Sequence, residues 1–204
     1  MASANSYDDF FAAIQRDNES AVIALALREF DLNTPSPDGD HGLIMALRQG
    51  SLKVADFLLD QSAVNVDALN RHGENALMMA ALKGHLKQAR RLVERGAQVN
   101  KPDWAPLHYA ASTDRPQSLD MVRLLLEHHA YIDAASPNGT TPLMMAAFYG
   151  STGLVELLLE EGADPLLRNQ QGMSAIDFAR RAGRTQDVDL IARAVRQRRP
   201  TGRW

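Results

Sequence analysis

The sequence predicts an all-α fold built from stacked helix-turn-helix repeats, and three observations carry that prediction. A ten-residue phrase recurs along the chain as "NALMMAALKG" (75–84), "APLHYAASTD" (105–114) and "TPLMMAAFYG" (141–150). Its leucine position recurs as Leu43, Leu77, Leu107, Leu143 and, substituted, Ile176, at separations of 34, 30, 36 and 33 residues. Glycines bracket it, with Gly39, Gly73, Gly139 and Gly172 four residues before the marker and Gly50, Gly84, Gly150 and Gly183 seven after it. A sustained period of this length marks a solenoid, in which each repeat buries its apolar face only against its neighbours.

Between the paired glycines the pattern predicts a helix of about two turns. Asn75-Ala76, Thr141-Pro142 and Ser174-Ala175 place a side-chain oxygen, and once a proline, at its start, as the unpaired N–H groups of a first turn favour. The glycines fit a turn tip and a helix C-terminus, where the backbone needs positive φ or close approach. A second apolar pattern then follows in each repeat: Val54-Ala55 with Phe57-Leu58-Leu59, Met121-Val122 with Leu124-Leu125-Leu126, and Leu154-Val155 with Leu157-Leu158-Leu159. Spacings of three and four on one face predict an amphipathic helix. "RGAQVN" (95–100) and "EGADPL" (161–166) close the second helix and lead into the next turn.

The stretches "NGTTPLMMAAFYGSTGLVELLLEEGADP" (138–165) and "HGENALMMAALKGHLKQARRLVERGAQVN" (72–100) resemble the ankyrin repeat family, and the recurrence in register extends the resemblance over about residues 7–198. The resemblance implies a single solenoid domain at 7–199, with short β-hairpin-like turns between repeats. Residues 7–35 would form an N-terminal capping helix pair without the leading hairpin, since "FFAAIQRD" and "EFDLN" echo the pattern. Repeats would follow at 36–68, 69–101, 102–135 and 136–168, and a C-terminal repeat or cap at 169–199, its outer face solvated by Asp187, Asp189, Arg193 and Arg196. Residues 1–6 are expected to be a disordered N-terminus and 200–204 a flexible tail. In this reading the family's usual histidine survives only as His108, with Ile44, Met78 and Met144 replacing it elsewhere, so the Met pair of the phrase is structural.

Charge and motif content narrow the function. The net charge is −3, but eight arginines from Arg180 onward against Asp187 and Asp189 make that end +6 and leave −9 on residues 1–179. An acidic body argues against nucleic acid as a partner, and the arginines read as a solvated terminal helix with cations at its C-terminal dipole. There is no cysteine, hence no disulfide and no thiolate chemistry. No apolar run reaches the roughly 20 residues of a membrane span. Ala2-Ser3-Ala4 has the small-x-small pattern of a trimmed signal-peptidase site, which points to a periplasmic mature chain; read as an ordinary terminus it leaves a cytoplasmic one. Abundant Arg, Ala and Leu resemble a stand-alone bacterial member of the family. Nucleotide-binding, nucleophile-elbow and zinc-protease motifs are absent, so no catalytic residue, cofactor or metal is expected. "SPDGDHG" (36–42) lacks the later ligands of a calcium loop and coincides with a repeat turn. His128-His129 fall at a helix terminus, and His85 has a structural position.

What remains is a surface for another protein. The resemblance places the concave face on the turn tips and on the exposed ends of the first helices. The tips supply Arg71, His72, Glu74, Trp104, Asn138, Thr140, Gln170 and Met173; the helix ends supply Arg48, Gln49, Leu82, Lys83, Phe148 and Tyr149. Leu82, Trp104, Phe148 and Tyr149 form the candidate anchor group, since aromatic residues enrich interface cores; singly, Trp104 or Phe148 can equally pack against a neighbouring repeat. Repeat 102–135 has a shortened turn ("NKPDW"), with Asp103 where its sisters have glycine, and a lengthened inter-helix loop ("STDRPQS", 112–118). The resulting notch, floored by Trp104, is expected to accept a partner's loop or side chain. The leading reading is a monomeric, non-enzymatic protein-binding module. Its alternatives are a dedicated immunity, inhibitor or chaperone-like partner of one enzyme or toxin, or a small hydrolase using His72, Glu74 and Asp103.

Overall fold

The computed structural model describes residues 4–198, and among them every regular element is a helix, apart from isolated antiparallel bridges between Pro35 and His41 and between Arg168 and Ser174. The chain divides into two units, residues 1–98 and 99–204.

The first unit contains α1 (Ala4–Gln15), α2 (Glu19–Ala26), α3 (Gly42–Gln49), α4 (Leu52–Asp60), α5 (Ala76–Lys83) and α6 (Leu86–Glu94). Helices α1, α3 and α5 pack side by side in one layer, and each rests on its partner α2, α4 or α6 in the other. The apolar spacing sets this order. Helix α3 buries Leu43, Ile44, Ala46 and Leu47, and α4 buries Val54, Ala55, Leu58 and Leu59. Residues 1–3 lie outside the described residues, and with them most of the candidate signal-peptidase site. Residues 4–6, expected to be unstructured, instead begin α1; Tyr7 on the same turn donates to the Pro35 carbonyl and packs on Phe11. On the outer side, Lys87, Gln88 and Arg91 of α6 converge on Asp56. Burial raises the Asp56 carboxyl, but these contacts outweigh it and hold the group below its usual range.

The second unit contains α7 (Pro106–Ala111), α8 (Ser118–Glu127), α9 (Pro142–Tyr149), α10 (Thr152–Glu160), α11 (Ala175–Arg181) and α12 (Thr185–Arg198). Helices α7, α9 and α11 form one layer over α8, α10 and α12. The tail 200–204 and the last arginines lie outside the described residues. Asp187, expected on the solvated face of α12, is fully buried and ion-paired with Arg184 at 2.5 Å. Arg184 also donates to the Ala146 carbonyl at 2.7 Å, closing the C-terminus of α9.

The turns repeat one design. Before α3, α5, α9 and α11, a serine or asparagine side chain (Ser36, Asn70, Ser136, Asn169) accepts from the N–H four residues on. The same residue's own N–H returns to that position's carbonyl. Asn75 and Thr141 then cap their helices, accepting from Met78 and Met144. Asp103 takes the left-handed backbone (φ 68°) that glycine supplies elsewhere, and so does His129 (φ 66°) at the end of α8, a conformation costly for a residue with a Cβ. Gly150 departs from its sisters: its backbone is extended, and a Cβ there would stand 2.8 Å from the Ala111 carbonyl oxygen.

Candidate binding groove

Helix α7 holds six residues where α9 holds eight. It ends at Ala111 because the chain leaves it through Ser112, whose hydroxyl donates back to the Tyr109 carbonyl at 2.9 Å. The early end and the shortened turn before α7 leave a groove of about 220 Å³ lined by Trp104, His108, Tyr109, Ser112 and Met145. The groove lies in the repeat where the sequence places a notch, and Trp104 lines it.

His108 organises it. The Ala105 N–H donates to Nδ1 at 3.1 Å, which leaves the proton on Nε2 to donate to the Thr140 carbonyl at 3.0 Å. Burial pushes the imidazole below its ordinary range, with the backbone contacts to Thr140, Ala105 and Ala134 opposing it. Trp104 meets the ring edge-on, its centroid 5.3 Å away. One neutral side chain thus ties the turn before α7 to the turn before α9 and supports the indole.

The members of the expected anchor group have different surroundings. Trp104 belongs to the groove, whereas Phe148 packs on Phe178 at 6.2 Å and on Tyr149 at 4.5 Å. Tyr149 is 56% exposed; Phe148 is half-buried. Leu82 lies in the first unit and is half-buried, as is Lys83. Tyr109 and Met145, missed in the sequence, occupy equivalent places in the phrase. Both are half-buried, whereas Met79, at the same place in its own repeat, is buried. The Met pair is accordingly split, Met144 in the core and Met145 in the groove wall.

Thr140 is not a surface residue. It is 3% exposed; its N–H donates to Ser136 Oγ and Asn138 Oδ1, and its carbonyl takes the His108 bond. Asn138 and Gln170 are exposed, and they join adjacent turns: Gln170 donates to the carbonyls of Pro137 and Asn138. Met173 is half-buried.

In the first unit, Arg48 bridges Asp40 and Glu74, and Asn70 Nδ2 donates to both carboxylates at 2.9 Å. Arg48 and Glu74 are thus already committed to holding two turns together. The stem of Arg71 lies over Gly39, and His72 and Gln49 are exposed. Glu74, a member of the hydrolase alternative, is occupied by this ion-pair network. No catalytic domain is evident among the described residues. None of the described helices is long and apolar enough to cross a membrane.

A family model described as ankyrin repeats (3 copies) matches residues 10–103, 69–136 and 100–169. Among curated proteins, the chain is 34% identical over 165 residues to the nuclear factor NF-kappa-B p105 subunit of Mus musculus, covering 78% of this chain and 17% of that one. It is 35% identical over 150 residues to neurogenic locus notch homolog protein 4 of Homo sapiens, covering 66% and 7%. The chain therefore spans only a small part of the length of such relatives. Among solved structures, it superposes with a TM-score of 0.78 and 26% identity on a chain of the complex between Bd0816, a predatory endopeptidase from Bdellovibrio bacteriovorus, and immunity protein Bd3460. That match covers 91% of this chain and 97% of the other.

Proposed function

The chain belongs to the ankyrin repeat family, and from that premise we propose that it is a dedicated binding partner that restrains one enzyme, a peptidase. The observation that carries the reading is the near-complete mutual coverage with a chain from the endopeptidase–immunity protein complex. The mechanism is steric: a rigid layer of short helices presents the Trp104 groove and Tyr149 to the partner, with affinity concentrated in a few well-packed anchors. The chain acts as a single copy and contributes no chemistry of its own.

The test is isolation of the tagged chain from its native cell, followed by an assay of the co-purified protein for peptide-bond hydrolysis before and after dissociation. The expected result is one stoichiometric protein whose peptidase activity rises on release. Several unrelated partners without hydrolytic activity would instead make the chain a general adaptor. Turnover by the isolated chain would make it an enzyme.

A further inference from the structure

We infer that the Trp104 groove is a receptor for one uncharged aromatic side chain, a phenylalanine or tyrosine projecting from the partner protein. The inference deepens the proposed function and rests on it only for the partner being a protein. Three features of the groove carry it.

The first is charge. Three other concavities of this unit are lined by charged groups: Glu156, Glu160 and Arg193 between α10 and α12, Lys101 and Asp103 beside Tyr131, and Arg123, Glu127 and Glu161. The Trp104 groove is lined by no Asp, Glu, Lys or Arg. Both ring nitrogens of its histidine are committed to backbone groups, and the Ser112 hydroxyl donates to the Tyr109 carbonyl. A carboxylate or ammonium entering it would give up water and gain no opposite charge, which is strongly unfavourable.

The second is size. At about 220 Å³ the groove is smaller than the ~300–1,000 Å³ typical of cofactor and drug sites. An apolar cavity of roughly 150 Å³ already accepts benzene, so one aromatic ring fits. The third is the chemistry of the walls. An indole, a phenol ring and a thioether line one small space, and aromatic rings gain from edge-to-face and sulfur contacts beyond their buried area.

The test titrates the full chain, carrying Trp204→Phe so that Trp104 is the sole tryptophan, with p-cresol and toluene, and in parallel with benzoate, benzylamine and isoamyl alcohol. The readouts are the Trp104 indole N–H and Met145 methyl resonances. Saturable shifts with the two neutral aromatics, at least about tenfold weaker binding of the charged analogues, and loss of the shifts in Trp104→Ala and Met145→Gln are expected. Met145→Gln keeps the side-chain length, and an otherwise unchanged spectrum certifies its fold. Equal binding of benzoate or isoamyl alcohol, no saturation with p-cresol, or shifts indifferent to both variants would overturn the inference. A chain that restrains a peptidase yet binds no aromatic probe defeats this inference and keeps the proposed function. Aromatic binding in a chain that engages no peptidase does the reverse.

Discussion

Replacing His108 with Met gives repeat 102–135 the residue that Met78 and Met144 supply to its sisters. His108 makes two hydrogen bonds, to the Ala105 N–H and the Thr140 carbonyl, and both residues are buried. Methionine can recover part of the first, as Met144 Sδ does from the Thr141 N–H at 3.5 Å. It cannot donate to the Thr140 carbonyl, which then keeps only its bond from the Ser136 N–H, and one net hydrogen bond lost costs about 0.5–1.5 kcal/mol. The added apolar contact offsets some of that, so the expected loss at pH 7.5 is about 0.5–1 kcal/mol. pH isolates the cause. The folded imidazole titrates below its usual range, whereas in the unfolded chain it titrates near ~6.5. Between those values the unfolded chain binds more protons, so the histidine's contribution is complete above ~6.5 and is lost as pH falls through the window. Urea denaturation of both proteins at pH 7.5 and 5.5 should show wild type losing more stability on acidification than His108→Met. Parallel losses in the two proteins would refute the assignment of His108 as a buried neutral tie.

Gly150→Ala should cost about 1–3 kcal/mol in the same denaturation assay, because its Cβ meets the Ala111 carbonyl oxygen at 2.8 Å in a packed interior; a neutral result would mean the helix ends shift freely. His129→Gly relieves a left-handed backbone at φ 66° and should raise stability by about 1 kcal/mol, a gain of roughly 2–4 °C in Tm, measured by calorimetry. Tyr149→Ala should weaken partner capture in a binding titration while moving Tm by less than about 2 °C; a large fall in Tm would make it a core residue. Arg48→Gln should lower stability by about 1 kcal/mol through the Asp40–Glu74 contacts and leave partner affinity unchanged, since that guanidinium is already occupied.

The repeat, its helix pairs and the third repeat's irregularity were legible because each is a matter of spacing: a period, a pair of glycines, a short turn and a long loop. The groove's position followed from the same count, but its composition did not. Tyr109 and Met145 sit inside a phrase whose neighbours are buried, and Met79 at the same place is buried as well, so the phrase alone does not separate them. Thr140 is buried, as Asp40 is at the same place in its own turn, whereas Glu74 and Met173 there are half-buried, and spacing alone does not separate the two cases. Asp187 likewise looked solvent-facing until Arg184 supplied its counter-charge. Gly150 looked like a left-handed terminus, yet it is needed for close approach to a carbonyl 39 residues earlier in the chain. Such contacts between repeats depend on how side chains meet, which linear spacing does not record.

Under the proposed function, Trp104 is where the peptidase partner is held. The decisive measurement is inhibition of the co-purified peptidase by the wild-type chain and by Trp104→Ala, with the Tm of each recorded alongside. The predicted result is a loss of at least ~2 kcal/mol in binding, about 30-fold in the inhibition constant, with Tm nearly unchanged. Equal inhibition by both chains, at equal Tm, would contradict it.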